Sequence, residues 1–506
     1  MAEPQRAMAS EIVETEAREA PVPHEQRLEG MGGIGNADHD ANEHPFIVLA
    51  QVLASMCLTD EKFLRATPVH RIMRRAGRAL RHNTQVSFQD SRKVKEISKF
   101  ISHSWQASPL LKTLTLHRFY NLTAAALAGT LGAVLGTILF SFGLLPGFER
   151  APRFGTGTVL QGLWSLCLGH LLFVLVLFFR PPRDMVFLDR LCINQTDPGA
   201  KAEGVLNIGA CLKHSKALLV IWDVTYCQRL WCLFEMAAFL KTHQDEALII
   251  EPVSLTVYVL GSFWFNTLMW STSVVLPNDS PFTAPMLLLG TCTYGWVLAG
   301  VLKRYSQSLQ SLKAQLQKFR FAEAEVYCCS VRHRTQNGAD ILCDRGIMQK
   351  CVQAWFGSVE EFEQSVQTGV KDALDRHFGG KFCPSHLVII AALPLLWAQM
   401  DFAAAWFLQR EMMVGLGNLI FGLASTFIGS LAVPGLVLVS MRCMPRSYPS
   451  LQKLVASATY TAVLLISLGV IELLFNSLGV LPGSLVFSAL LVLPSVVVWE
   501  CCSQIF

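Results

Sequence analysis

Three sets of side chains in this sequence are of types that do chemistry. The first is a polar run, Ser102, His103, Ser104 and Trp105, directly after the apolar residues 97–101. A His there can orient a ligand or merely cap its strand. The second is a pair of carboxylates. Asp189 closes the apolar run 185–188, and Glu235 ends the run Trp231, Cys232, Leu233, Phe234, Glu235. A carboxylate at a strand end binds a cation or caps the following loop, and one on a helix serves a site or faces solvent. The third set is Cys328, Cys329, His333 and Cys343, donors of the kind zinc takes. Their spacing matches no strong zinc pattern, and reduced cytosolic thiols account for it, so no metal is expected.

The elements that must position these groups follow from the pattern of apolar residues. Residues 185–188 form a short apolar run, and Val205, Ile208 and Leu212 fit one helix face. Residues 217–222 are six apolar residues in a row, residues 230–240 are helical with one apolar side, and residues 247–250 form another short run. Strand, helix, strand, helix, strand is the pattern of a parallel α/β sheet. Residues 97–101 add a strand upstream. Ser102 to Trp105 then sit at a strand's carboxyl end, where open α/β sheets bind ligands.

At these residues the chain resembles the Toll/interleukin-receptor (TIR) domain family. Phe-Ile-Ser-His-Ser-Trp at 100–105 looks like the family's first strand, and Phe-Leu-Asp at 187–189 resembles its second. Residues 219–226 resemble the strand that ends in a Ser-x-x-Tyr-like turn. Trp-Cys-Leu-Phe-Glu at 231–235 matches the Trp-Cys-x-x-Glu helix. Leu-Cys-Ile-Asn-Gln at 191–195 is closer to heterokaryon-incompatibility (HET) domains, which share this fold. The resemblance spans residues 95–106 and 184–252. It implies a flavodoxin-like parallel sheet and, as in catalytic members, cleavage of NAD at the nicotinamide–ribose bond. Carried over residue by residue, Glu235 is the catalytic group. Ser102, His103, Ser104, Trp105, Asp189 and Trp231 are the substrate contacts, and Cys232 is a packing residue. NAD is then a substrate, and no bound cofactor is expected. Such cleavage passes through an oxocarbenium-like state, which a carboxylate stabilises while holding the ribose hydroxyls. The resemblance also implies homo-oligomers formed through this domain. The departure is large: in the family a soluble helix follows the first strand, whereas here a long apolar insertion does.

That insertion belongs to a membrane protein. Hydrophobic residues make up 52% of the chain and charged residues only 16%, against about 25% charged in soluble domains. So much apolar surface needs lipid as a second solvent. No basic run interleaved with aromatics points to nucleic acid. The 15 cysteines are scattered and do not form a disulfide framework. A helix crosses a bilayer in about 20 apolar residues. Segments of that kind are 122–145, 159–179, 253–275, 282–302, 387–408, 413–441, 454–475 and 481–499, and the sixth, holding Pro434, is expected to tilt or kink. Arg180 and Arg183, Lys303 and Arg304, and Arg442, Arg446 and Lys453 follow alternate spans. The loops 277–281 and 476–480 have no Lys or Arg. The positive-inside rule then puts both termini in the cytosol, although Arg150 and Arg153 lie in an opposite loop. Gly132 and Gly136 predict close helix packing in the first span. Arg71, Arg74, Arg75, Arg78 and Arg81, with Ile72, Met73 and Leu80, suit an anionic membrane surface or a solvated helix.

The fold class expected is thus a multi-pass α-helical membrane protein of about eight transmembrane helices, with a cytosolic α/β TIR-like domain split by the first transmembrane hairpin. Along the chain this reads as a disordered tail (1–45), cytosolic helices and the first strand (46–120), and a transmembrane hairpin (121–180). The rest of the α/β domain (181–252) and a second hairpin (253–302) follow. A cytosolic helical region (303–386), four transmembrane helices (387–500) and a cytosolic tail (501–506) complete the chain. Residues 355–358 read as a helix stop and restart, with Ser358 as the new N-cap. Three functional readings stand: a membrane-anchored signalling protein hydrolysing NAD, a non-enzymatic protein whose domain mediates protein contacts, or a channel or transporter regulated by that domain. Within spans, His170, Asp401 and Glu472 are the ionisable residues that bear on the last.

Overall fold

The structure, a computed structural model, describes residues 50–81, 84, 86–151, 158–243, 247–276, 283–334, 343–378, 383–445 and 447–503. The expected tail 1–45, Arg153, Arg446 and the whole loop 277–281 lie outside them. The chain divides into two units. One comprises Met1–Thr113, Pro181–Pro252 and Ser311–His377; the other comprises Leu114–Arg180, Val253–Gln310 and Phe378–Phe506. In chain order the strands among the described residues are β1 (Arg65–Pro68), β2 (Arg92–Lys93), β3 (Lys99–His103), β4 (Phe148–Arg150), β5 (Val159–Gln161), β6 (Met185–Phe187), β7 (Leu218–Trp222) and β8 (Leu248–Pro252).

The first unit is built on one sheet in the order β2-β1-β6-β3-β7-β8. Every residue of β7 is buried, as befits a strand covered on both faces of a parallel sheet. β3 runs parallel to β7, with Ser102 opposite Val220 and His103 opposite Ile221. On its other side Phe100 pairs with Phe187 of β6, and their rings stack at 4.6 Å. Among the parallel strands, the first in the chain is therefore flanked by the second and the third. β1 and β2 were not expected. They are short and antiparallel, and β2 has both side chains exposed, too brief a pattern for periodicity to reveal.

Asp197 caps the helix Pro198–Leu206 by accepting from Gly199 N–H, and Pro198 opens it. Val205, Ile208 and Leu212 are all buried, as one face requires. They nevertheless lie on two helices, Pro198–Leu206 and Ile208–Lys213, because Asn207 breaks the run. Its side chain accepts from Thr59 N–H at 2.9 Å and donates to Thr59 Oγ1 at 2.8 Å and Glu203 O at 2.7 Å. The helices Asp344–Phe356 and Val359–Phe378 meet at Gly357, whose φ of +87° excludes most side chains. Ser358 caps the second by accepting from Glu361 N–H. Ile72, Met73 and Leu80 are buried in this unit's core, so the apolar side of the arginine stretch is not free for a membrane surface. Arg71 pairs with Asp90 instead.

The second unit is mostly helical. Among the described residues, six helices are long and apolar enough to cross a membrane: Pro109–Ser141, Ala284–Gln317, Ser385–Leu408, Met412–Arg442, Pro449–Leu478 and Val480–Val498. They leave large apolar side chains outward, such as Leu131 at 70% and Leu493 at 71% exposure, as lipid-facing helices do. Two of the eight expected spans are not among these six. Residues 159–161 are not helical; they form β5, which pairs with β4, and the helix starts only at Trp164. Its 16 residues rise about 24 Å, short of a core of roughly 30 Å. Val253–Val275 is long enough but carries Ser254, Thr256, Ser262, Asn266 and Thr267 along it. The sixth span is irregular as expected near Pro434, through a π-helical turn at Ser425–Gly429. Residues 282–302 and the region after them form one helix, Thr283–Gln317.

Gly132 and Gly136 do mark a close approach. A Cβ on Gly136 would lie 2.6 Å from Trp164 O, and one on Gly132 2.8 Å from Leu168 O. Helix Pro109–Ser141 thus packs backbone to backbone on Trp164–Phe179. Gly136→Leu is expected to destabilise the protein by about 1–3 kcal/mol through overpacking. An unchanged melting midpoint in detergent would remove this packing role.

Candidate functional site

The first unit gathers its polar side chains at the carboxyl ends of β3, β6 and β7. Glu235 is carried on the helix Leu230–Thr242, which buries Leu230, Leu233, Phe234, Ala237 and Ala238. This anchoring aims Glu235, one turn beyond Trp231, at the end of β3. There Ser102 Oγ donates to Glu235 Oε2 at 2.5 Å and lies 2.6 Å from Tyr226 Oη. Tyr226 Oη in turn donates to Cys232 O at 3.3 Å. Ser102 and Tyr226 are buried, whereas Glu235 is half-buried and keeps an open edge.

Burial pushes the Glu235 carboxyl up to about 8 from its ordinary 4.5; the Ser102 hydroxyl opposes this, Asp189 reinforces it, and Arg229 offsets a little. Protonated, Glu235 donates to Ser102, Ser102 to Tyr226 and Tyr226 to Cys232 O, so every hydroxyl proton is used. Ionised, the carboxylate takes the Ser102 proton, and Tyr226 must turn its own toward Ser102. Because the folded value is raised, folding retains a proton that the unfolded chain has lost. Stability from this group is full below about 4.5 and falls as pH rises to about 8. The slope is at most about 1.4 kcal/mol per pH unit. Glu235→Gln is expected to flatten it, gaining melting temperature over wild type at pH 8 and little at pH 5. Parallel pH profiles for the two proteins would remove the buried-carboxyl account.

A second chain of hydrogen bonds lies beside the first. Gln106 N–H donates to Ser104 Oγ at 3.3 Å, Ser104 lies 2.7 Å from Thr225 Oγ1, and Thr225 donates to Asp223 Oδ2 at 2.7 Å. Asp223 Oδ1 is buried with no hydrogen-bond partner among the described residues, which leaves an acceptor for a ligand or water. Burial raises the Asp223 carboxyl above its ordinary range. Lys112 is buried close to Asp223 and Asp189 and donates to Ser104 O at 3.1 Å.

Trp105 roofs this area. His103 meets its ring edge-on at 4.5 Å, and Lys112 and Arg190 lie over it at 5.4 and 5.6 Å. Its indole N–H donates to Asp189, whose carboxyl burial pushes upward. Asp189 also accepts from Arg190 N–H at 2.7 Å. So Ser102, Glu235, Ser104, Trp105, His103 and Asp189 are brought to one end of the sheet. Trp231 differs: its indole N–H donates to Asp344. Asp223, Thr225, Lys112 and Arg190 were missed in the sequence. Asp223 and Thr225 had a local signal, a side chain capping a backbone N–H two residues on. Lys112 had none.

In the second unit the ionisable groups are structurally engaged. Asp401 accepts from the N–H groups of Ser165 and Leu166 at 2.8 and 3.0 Å, capping the helix Trp164–Phe179. His170 is 2.7 Å from Thr267 Oγ1 and 2.6 Å from Leu166 O. Glu472 is exposed. Arg150, the cation expected to be out of place, donates to the carbonyls of Val274 and Ser273 at a helix C-terminus. A cavity of about 490 Å³ between the helices is lined by side chains such as Trp270, Tyr294, Leu395, Phe421 and Tyr460, with no Asp, Glu, Lys, Arg or His among the described residues lining it.

Comparison with protein-family models, with curated proteins and with solved structures gives no match to this chain.

Proposed function

We propose that this chain is a multi-pass membrane protein whose α/β unit is a TIR-like domain that cleaves NAD at the nicotinamide–ribose bond, with Glu235 as its catalytic residue. One observation carries the reading: the 2.5 Å meeting of Glu235 with Ser102 where β3 and β7 end. Those strands are the first and third in the parallel order, so the crevice between them is the switch point at which doubly wound sheets bind nucleotides. In the proposed reaction, the Glu235 carboxylate holds the ribose hydroxyls and balances the positive charge that develops on the ribose as neutral nicotinamide leaves; water then bonds to that ribose carbon and gives up a proton to solvent. Asp223 Oδ1 offers an acceptor that has no hydrogen-bond partner among the described residues.

Chain parity supports a topology of eight crossings. The first unit gathers 1–113, 181–252 and 311–377, so each intervening excursion crosses an even number of times if that unit lies on one side. Each of the first two excursions has one membrane-length helix. The return crossings then fall to Trp164–Phe179 and Val253–Val275, shielded by packing against other helices. Both termini end on the cytosolic side, and the domain self-associates there.

The rival reading, a domain that only mediates contacts, is favoured by the same Ser102–Glu235 bond, which satisfies a protonated carboxyl without any ligand. Purified protein incubated with NAD separates the two. Release of nicotinamide that is lost in Glu235→Gln supports the enzyme; equal release by both proteins overturns the catalytic assignment.

A further inference from the structure

We infer that Cys328, Cys329, His333 and Cys343 form a closed, structural zinc site. The four donor atoms all lie within 4.8 Å of one another. Cys329 Sγ is 3.9 Å from Cys328 Sγ, 3.9 Å from Cys343 Sγ and 3.6 Å from His333 Nε2. Zinc–sulfur bonds of about 2.3 Å and zinc–nitrogen bonds of about 2.0–2.1 Å set tetrahedral edges of about 3.8 Å between sulfurs and about 3.5 Å from sulfur to nitrogen. The spacings match those edges and are far beyond the roughly 2.05 Å of a disulfide.

The backbone is bent to make this geometry. After the short helix Tyr327–Ser330, Arg332 and His333 both adopt left-handed conformations, at φ +55° and +56°. Each costs about 1–2 kcal/mol for a residue with a Cβ. His333 N–H donates to Cys328 O at 2.7 Å, which closes the turn and brings the imidazole back over Cys329. Cys343 is the N-cap residue of the helix Asp344–Phe356. The N–H groups of Asp344 and Gly346 donate to the sulfurs of Cys328 and Cys343. Three thiolates and a neutral imidazole around a divalent ion leave one negative charge, which those N–H groups offset. Binding displaces the three thiol protons to solvent, so affinity falls as pH is lowered.

Four protein ligands leave no open position, so the ion is structural. It would tie together two segments that brace the helix of Glu235. Glu325 bonds to both Gln228 and Leu230, directly before that helix. Arg345 holds the carbonyls of Phe321, Ala322 and Ala324, and Asp344 accepts the Trp231 indole.

Elemental analysis of the full chain, purified in detergent without chelator, is expected to find one zinc per chain. Cys329→Ser, Cys343→Ser and His333→Gln should each hold less than half of it, while Cys57→Ser and Cys351→Ser keep the wild-type content. Cobalt-loaded wild type should show the intense visible bands of a tetrahedral thiolate site, weakened in Cys329→Ser. A wild type that carries no zinc, carries iron instead, or joins Cys329 to Cys343 in a disulfide overturns the proposal, as does full zinc retention in the ligand variants. None of these outcomes depends on NAD turnover.

Discussion

Glu235→Gln is expected to lower NAD cleavage by about 100-fold or more, the usual cost of removing one preorganised electrostatic partner of the transition state. The amide keeps the volume of the side chain and can donate to Ser102 as the protonated carboxyl does, so the fold survives the change. In the proposed reaction the carboxylate is the working form, and burial pushes the group up to about 8. The rate should therefore rise with pH across that value, while stability from the same group declines over the range below it. Ser102→Ala sharpens the test. Its hydroxyl opposes the upward push on Glu235, so its loss moves the rising limb further alkaline. A residue of merely structural importance would lower the rate without moving the limb. Nicotinamide release measured from pH 6 to about 9.5, a span chosen to bracket the shifted group, reads both effects. A rate independent of pH across that span would sink the carboxylate mechanism.

Asp401→Ala is expected to cost about 2–6 kcal/mol, because the cap it removes leaves two buried N–H donors without acceptors at about 1–3 kcal/mol each. Those donors are Ser165 and Leu166, at the start of the helix Trp164–Phe179. Asp401→Asn keeps an acceptor oxygen for one of the two N–H groups and sets its amide NH2, a donor, against the other, so it should recover at most about half of the loss. Melting in detergent gives the stabilities. Solute or ion flux in liposomes decides what the residue is for: Asp401→Asn that folds normally yet abolishes a measurable flux would make Asp401 a transport residue rather than a cap.

Much of the sheet was legible because its core strands are unbroken apolar runs with turn residues at their ends. Residues 217–222 and 247–250 correspond closely to β7 and β8, and the strand placed at 97–101 became β3, at Lys99–His103. The short edge strands β1 and β2 carry too few apolar residues to show a period. Helix breaks such as Asn207 depend on a side chain reaching Thr59, 148 positions away, and no local pattern encodes that. The start of the second span was misplaced for the same kind of reason. Residues 159–161 are apolar enough for a helix, but their backbone pairs with β4 across a loop. Cys328, Cys329, His333 and Cys343 were set aside on their spacing and as reduced cytosolic thiols, because the left-handed turn at Arg332 and His333 cannot be read from residue types that normally avoid it. Glu235 and Ser102 were both singled out in the sequence, but their contact spans 133 positions.

The position of β3 has a consequence for how the protein is made. β3 leaves the ribosome before either of its parallel neighbours, β6 and β7, has been synthesised. At about 5–20 residues per second, the roughly 120 residues from His103 to Trp222 take about 6–24 s to translate. Hairpins form in about 1–10 μs, so strand pairing itself is never the slow step. Until β6 is made an apolar strand waits with both edges unpaired, and until β7 is made with one, a state that invites wrong partners. Synthesis of the intervening segment, and its insertion into lipid, therefore sets the clock for completing the domain.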